Sequence, residues 1–158
     1  MAGQRQSDGA AIKAIKDVSY GPHGVRNLMR ELRVPGVYIF GHVTNAALTA
    51  FYRSAGVYLC LSAHEGFCVP LVEAMHFGLP IVARAAAGVP GTLDGGGILL
   101  ARPDPVLTGE VLARVLGDGA LRRALGEQSR TRLEAFQPAV VRETLRQVLC
   151  SRLGLELR

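Results

Sequence analysis

Short apolar runs in the middle of the chain constrain the fold most strongly. Each is almost continuously apolar rather than alternating, which is typical of a strand covered on both faces of a parallel sheet. Strands that alternate with helices form such sheets through right-handed crossovers. We therefore predict an α/β fold, with a Rossmann-like parallel sheet followed by C-terminal helices. The predicted strands are Val37–Phe40, Val57–Leu61, Pro80–Ala83 and Ile98–Leu100.

Helices are predicted wherever Leu, Val and other apolar residues recur at three- and four-residue spacing. One covers residues 23–33, and a second begins near Thr44 or Asn45, either of which can cap it, and ends at Gly56. Three more are predicted over 105–117, 118–135 and 138–153. Residues 1–22 lack any sustained period, so we expect a poorly structured lead-in, a domain over 23–153 and a tail over 154–158.

Composition excludes several protein classes. The 158 residues suffice for one domain with a core, and no apolar run approaches the roughly 20 residues of a membrane span. The first residues lack the apolar core and cleavage site of a secretory signal, so we expect a cytoplasmic protein. The three cysteines show no metal-ligand spacing, and Cys60 is expected to be a small core residue.

The net charge of +5 comes from a chain with sixteen arginines and two lysines. These arginines are scattered over the predicted helices with few aromatic residues between them. We interpret them mostly as solvated helix surface and expect no nucleic-acid partner. Attraction to anionic lipid headgroups or acidic substrates stays open, and with it peripheral contact with a membrane.

A loop over Ser62–Val69 follows one predicted strand and leads into a helix that begins at Pro70 and ends before Gly78. Ligands of open parallel sheets bind beyond the carboxyl ends of the strands. The first N–H groups of a helix lack intrahelical partners, and the helix dipole favours negative charge there. Together with Gly66, which has no Cβ, this pattern predicts a phosphate site.

Two glutamates, Glu65 and Glu73, lie on either side of this helix start. Carboxylate oxygens accept hydrogen bonds from paired hydroxyl groups, so a nucleoside diphosphate sugar would use both of them. Glu65 would then face the sugar, and Glu73 would reach the ribose. Two alternatives stay open: Glu73 stabilises the helix through its dipole, or the pair are catalytic carboxylates of the glycoside hydrolase kind.

The run HEGFCVPLVEAMHFGLPIVARAAAGVP, followed by GGGILL, resembles the C-terminal domain of GT-B-fold glycosyltransferases. The specific resemblance is to the retaining enzymes of family 4 type (group 1), and it covers about residues 23–150. Their hallmark is two glutamates separated by seven residues, as in Glu65 and Glu73. The resemblance implies half of a GT-B fold, a hexosyltransferase type of activity, a nucleotide-sugar donor, and neither a cofactor nor a metal at the site.

The resemblance also implies a role for each matching residue. Glu65 would contact the transferred sugar as the catalytic residue, and Glu73 would bind the ribose. Backbone amides would bind the rest of the donor. Those on the sugar hydroxyls would be Gly66, Phe67 and Cys68, and those on the pyrophosphate would be Val69 and Leu71.

The sequence departs from the family pattern at several points. Cys68 replaces a common glycine, and Gly91 replaces a common acidic residue. Residues 1–22 contain no Arg…Lys pair of the kind that clamps the diphosphate, and the acceptor-binding N-terminal domain of the family is missing. The sequence therefore predicts a truncated donor-binding domain that is weakly active or inactive alone and needs an N-terminal acceptor-binding domain or chain.

Two other interpretations stay open. One is a non-catalytic nucleotide-sugar-binding or interaction module that needs a partner chain. The other is a basic nucleic-acid or lipid-surface protein with a coincidental Rossmann core. Self-association also stays open, because loss of the first strands of the family's domain would expose a sheet edge.

Overall fold

The computed structural model describes residues 12–13, 27, 31, 33 and 35–153. Its centre is a parallel sheet of four strands in the order β1-β2-β3-β4. The strands are β1 (Ile12–Lys13), β2 (Val57–Cys60), β3 (Ile81–Arg84) and β4 (Ile98–Leu100). The helices are α1 (Asn45–Ser54), α2 (Val69–His76), α3 (Val89–Leu93), α4 (Pro105–Gly117), α5 (Gly119–Leu133) and α6 (Pro138–Leu153). The predicted parallel α/β architecture is therefore confirmed.

The two faces of the sheet support separate parts of the core, which explains the continuous apolar runs. Tyr58 and Cys60 of β2 pack on the side of α1 and α2. Val57 and Leu59 point to the other side and join Val115 of α4. All four residues of β2 are buried, because successive side chains in a strand point to opposite faces and both faces are covered here.

The first predicted strand, Val37–Phe40, is wrong. This segment is irregular, and Val37, Tyr38 and Phe40 keep 46%, 77% and 58% of their surface exposed. β1 instead occupies the edge of β2, with Ile12 paired to Val57, and no strand of the described chain pairs with residues 37–40. The ring of Phe40 packs against the ring of Phe51 in α1, with 4.6 Å between the centroids.

Other predictions concern residues that the structure describes only in part. β1 lies within the expected lead-in of residues 1–22, most of which fall outside the described residues. The same holds for most of the helix predicted over 23–33 and for the tail over 154–158. No helix in the described part of the chain is both long and apolar enough to cross a bilayer.

Polar caps fix where the helices begin. The hydroxyl of Thr44 accepts a hydrogen bond from the amide of Ala47 and caps α1, as one of the two predicted alternatives. Asp104 caps α4 and Asp118 caps α5 through bonds of 2.9–3.0 Å to backbone amides. The predicted stop of α2 is confirmed at Gly78, which has a φ of 62°.

α5 packs closely on the end of α2, and this contact requires a glycine. A Cβ on Gly126 would lie 2.6 Å from the carbonyl oxygen of Gly78. Gly126 is buried in the middle of α5, where a glycine otherwise weakens a helix. The contact therefore sets the distance between α5 and the helix that carries the candidate site.

We expect Gly126→Ala to lower the free energy of unfolding by about 1–3 kcal/mol, because the added methyl group forces the two backbones apart. Gly109→Ala is the matched control, since Gly109 lies on the exposed side of α4 with no atom within 4 Å of the added Cβ. That control should gain about 0.5–1 kcal/mol. Urea denaturation of both variants measures the difference, and equal effects would contradict the close contact.

Candidate functional site

The loop between β2 and α2 presents consecutive backbone amides at the carboxyl edge of the sheet. Cys68 is the N-cap residue of α2, in the left-handed region with a φ of 61°. Within the described part of the chain, the amides of Gly66, Phe67, Cys68 and Val69 donate no hydrogen bond. Such N–H groups at the positive end of a helix dipole attract an anion or a hydroxyl oxygen.

The next two residues of α2, Pro70 and Leu71, do not offer a free amide. Pro70 has no N–H, and the amide of Leu71 donates to the carbonyl oxygen of Cys68 at 2.9 Å. An acceptor on a ligand would have to share the Leu71 amide with that carbonyl. The donors that are open to a ligand therefore precede Pro70.

Gly88, the N-cap residue of α3, and Thr92 within α3 hold the loop in place. The amide of Gly88 donates to the carbonyl of Glu65 at 2.9 Å, and a Cβ on Gly88 would overlap the carbonyl of Gly66. The hydroxyl of buried Thr92 donates to the carbonyl of Phe67 at 2.6 Å. These bonds hold the carbonyls of Glu65 and Phe67 toward α3. The amides that follow these carbonyls therefore point away from α3.

Arg132 of α5 anchors α3 in turn. Its guanidinium donates to the carbonyls of Thr92 and Gly91 at 3.0 and 2.8 Å, and it pairs with Asp94 at 3.2 Å. It also lies over the ring of Phe136, 4.8 Å from the centroid. The rings of Phe136 and Phe67 meet edge to face, at 5.4 Å between centroids, so Arg132 also contacts the loop indirectly through Phe136.

Glu73 lines an open groove of about 470 Å³ between α1 and α2. The carboxylate is half-buried and accepts a hydrogen bond of 2.7 Å from the hydroxyl of Tyr52. Burial first, and the bond to Glu73 second, raise the pKa of Tyr52. The phenol therefore stays protonated and donates to the carboxylate, which keeps its remaining lone pairs for other donors.

Glu65 has different surroundings. It is half-buried, does not line the groove of Glu73, and has its carboxylate within 4.8 Å of the sulfur atoms of Cys60 and Cys68. Neither glutamate forms an ion pair with a basic residue of the described chain. Burial, followed by the charges of Cys60 and Glu65, raises the pKa of the Cys68 thiol to about 12.

The structure thus brings the predicted loop residues together and gives the two glutamates different surroundings. Glu65, Gly66, Phe67 and Cys68 share the loop, whereas Glu73 faces the α1 side of α2. Cys60 is buried, so its predicted place in the core is confirmed.

Sequence reasoning missed the supporting residues Tyr52, Thr92 and Arg132. Tyr52 was recognisable on the apolar face of a predicted helix, and Arg132 in an arginine-rich stretch. No local pattern indicates that their polar atoms contact the site.

We expect Arg132→Ala to lower the free energy of unfolding by about 1–3 kcal/mol, because two carbonyls lose a charged donor. Arg132→Lys should recover little of this, since one ammonium group cannot reproduce the planar fork and the ring contact. Arg53→Ala, at an exposed position of α1, is the control and should stay within about 0.5 kcal/mol of the parent. Denaturant titration measures all three, and full recovery by lysine would contradict the directed contacts.

Comparison with known proteins gives one consistent family. The family model described as glycosyl transferases group 1 matches residues 21–132, more than half of the chain. The MMP alpha-(1->4)-mannosyltransferase of Mycolicibacterium hassiacum is 37% identical over 122 residues, which are 73% of this chain and 29% of that protein. The GDP-mannose-dependent alpha-mannosyltransferase of Mycolicibacterium smegmatis is 35% identical over 65 residues, which are 41% of this chain and 17% of that protein.

Among solved structures, sucrose-phosphate synthase from Thermosynechococcus elongatus superposes with a TM-score of 0.66 at 26% identity. The match covers 80% of this chain and 34% of that one. The chain therefore spans less than half the length of these relatives, and its sheet and helices form a Rossmann-like part of a GT-B fold. On the family match and the fold together, the chain belongs to the group 1 glycosyl transferases.

Proposed function

We propose that the chain is the donor-binding half of a retaining glycosyltransferase that uses a nucleoside diphosphate sugar. The observation that carries this proposal is the row of amides at Gly66, Phe67, Cys68 and Val69, which donate to no acceptor among the described residues. These donors precede a helix whose dipole favours negative charge. Glu65 precedes the row and Glu73 follows it within α2; both are half-buried, and neither pairs with a basic residue in the described part of the chain.

The amide of Val69 and the dipole of α2 supply the charge stabilisation that such a transfer needs. When the bond between the sugar and the diphosphate breaks, negative charge grows on the departing phosphate oxygen and the sugar becomes oxocarbenium-like. Fixed N–H groups stabilise that charge without reorganisation of the protein, because Gly88 and Thr92 already hold the loop. Val69 at the helix start serves the diphosphate, and Gly66, Phe67 and Cys68 serve the sugar hydroxyls.

Glu73 binds the ribose of the nucleoside. Its carboxylate is oriented by Tyr52 and keeps acceptor capacity for two ribose hydroxyls. The groove that it lines has a volume of about 470 Å³, within the range typical of small-molecule sites. Glu65 serves the transferred sugar at the other end of the donor, which agrees with its position outside that groove.

A complete reaction needs an acceptor held beside the donor. The chain spans less than a third of the two mannosyltransferases that it matches, and we assign acceptor binding to a further domain or chain. The names of those relatives favour a hexose such as mannose as the transferred group. By itself, the chain should bind donor weakly and transfer little sugar.

Donor binding tests these assignments with Glu65→Gln and Glu73→Gln, and with Glu110→Gln as the control because Glu110 is exposed on α4. We expect Glu73→Gln to weaken GDP-mannose and free GDP alike by roughly tenfold, since both ligands carry the ribose. Glu65→Gln should weaken GDP-mannose by a similar factor and leave free GDP unchanged. Ligand-observed NMR with the full chain measures each affinity, with UDP-glucose and UDP as the second ligand pair.

Two outcomes would overturn the proposal. The first is that no nucleotide sugar of either base binds to the parent chain at millimolar concentration. The second is that Glu110→Gln weakens binding as much as the two site variants do.

A further inference from the structure

The two buried cysteines beside the loop meet in space although eight positions separate them. Cys60 is the last residue of β2, and Cys68 is the N-cap of α2. The intervening loop folds back, so their sulfur atoms lie 3.9 Å apart. The carboxylate of Glu65 joins them, and the three ligand atoms all lie within 4.8 Å of one another.

This spacing matches the geometry of a metal held by two thiolates. With metal–sulfur bonds of about 2.3 Å, the sulfur atoms of a tetrahedral zinc site lie roughly 3.8 Å apart. The observed 3.9 Å therefore admits such an ion between Cys60 and Cys68 with little movement of the backbone. Glu65 supplies the third ligand and leaves a fourth position open to water.

The chemistry of these ligand atoms determines which ions the site would prefer. Two sulfur ligands favour Zn²⁺ or Cd²⁺ and disfavour Mg²⁺ and Ca²⁺, which prefer oxygen ligands. Each thiol must lose one proton to solvent when the ion binds, so affinity rises with pH.

From this convergence we propose that Cys60, Glu65 and Cys68 form a binding site for a thiophilic divalent cation. The site shares Glu65 with the proposed donor site but does not depend on sugar transfer. Its ligands come from the end of one strand, from a loop and from the start of a helix, and α3 holds that loop through Gly88.

Cadmium titration of the reduced full chain tests this site through the ultraviolet absorption of cadmium–thiolate bonds. Cys150→Ser is the matched control, because Cys150 lies on α6 outside the cluster. Cys60→Ala and Cys68→Gly each remove one sulfur ligand. Glycine accepts the positive φ of position 68, so that variant should keep its fold, which circular dichroism checks.

We expect one Cd²⁺ per chain in the parent and in Cys150→Ser. Cys60→Ala and Cys68→Gly should each lose at least about a hundredfold in affinity, and Glu65→Gln roughly tenfold. The proposal is overturned if the parent shows no thiolate absorption, or if the absorption disappears only with Cys150. It is also overturned if Glu65→Gln binds the ion as tightly as the parent.

Discussion

One backbone contact organises the candidate site: the amide of Gly88 donates to the carbonyl of Glu65. It joins the loop after β2 to the turn after β3, and no side chain fits between them, because a Cβ on Gly88 would overlap the carbonyl of Gly66. With that carbonyl fixed inward, the amides that follow Glu65 face outward at the start of α2. The free donors at the site are thus a consequence of how two neighbouring strand ends are joined.

The anchoring of this contact explains why helices far along the chain matter to the site. α5 sits against α2 at the glycine contact of Gly126 and Gly78, and the same helix places Arg132 on the carbonyls of α3. A change that shifts α5 would therefore move both the helix that carries the amides and the turn that supports the loop. The packing of α5 on α2 and the geometry of the candidate site therefore depend on each other.

The core of the sheet could be predicted from sequence because its signal is local. β2 is a continuous apolar run because both of its faces are covered. β3 is apolar and buried over Ile81–Ala83, and β4 is apolar although Leu99 keeps 39% of its surface exposed. Asp104 and Asp118 precede the helices that they cap. The run Val37–Phe40 carries the same local signal, but an apolar run does not reveal whether a neighbouring strand is available. β1 has two residues, too few for any periodic pattern.

The candidate site, like the fold, could be predicted from the sequence only in part. Glu65, Glu73 and the amides between them could be proposed from the spacing of carboxylates around a helix start. The partners of these residues could not, because Tyr52 and Glu73 are 21 positions apart and Arg132 and Thr92 are 40 apart. Such contacts depend on which way each side chain points across packed elements. The different surroundings of the two glutamates have the same cause, since Glu73 faces α1 whereas Glu65 lies beside Cys60 and Cys68.

Cys68 connects the two proposals, because it takes part in both through different atoms. Its amide belongs to the row of donors that have no acceptor among the described residues, and its sulfur lies beside Cys60. A cation held by the sulfur atoms would draw in the carboxylate of Glu65, and a ligated oxygen has fewer lone pairs for a sugar hydroxyl. The cation would add positive charge beside the amides, which favours the diphosphate of a donor. Metal binding would therefore act on the two ends of a nucleotide sugar in opposite directions, weakening contact with the sugar while strengthening contact with the phosphates.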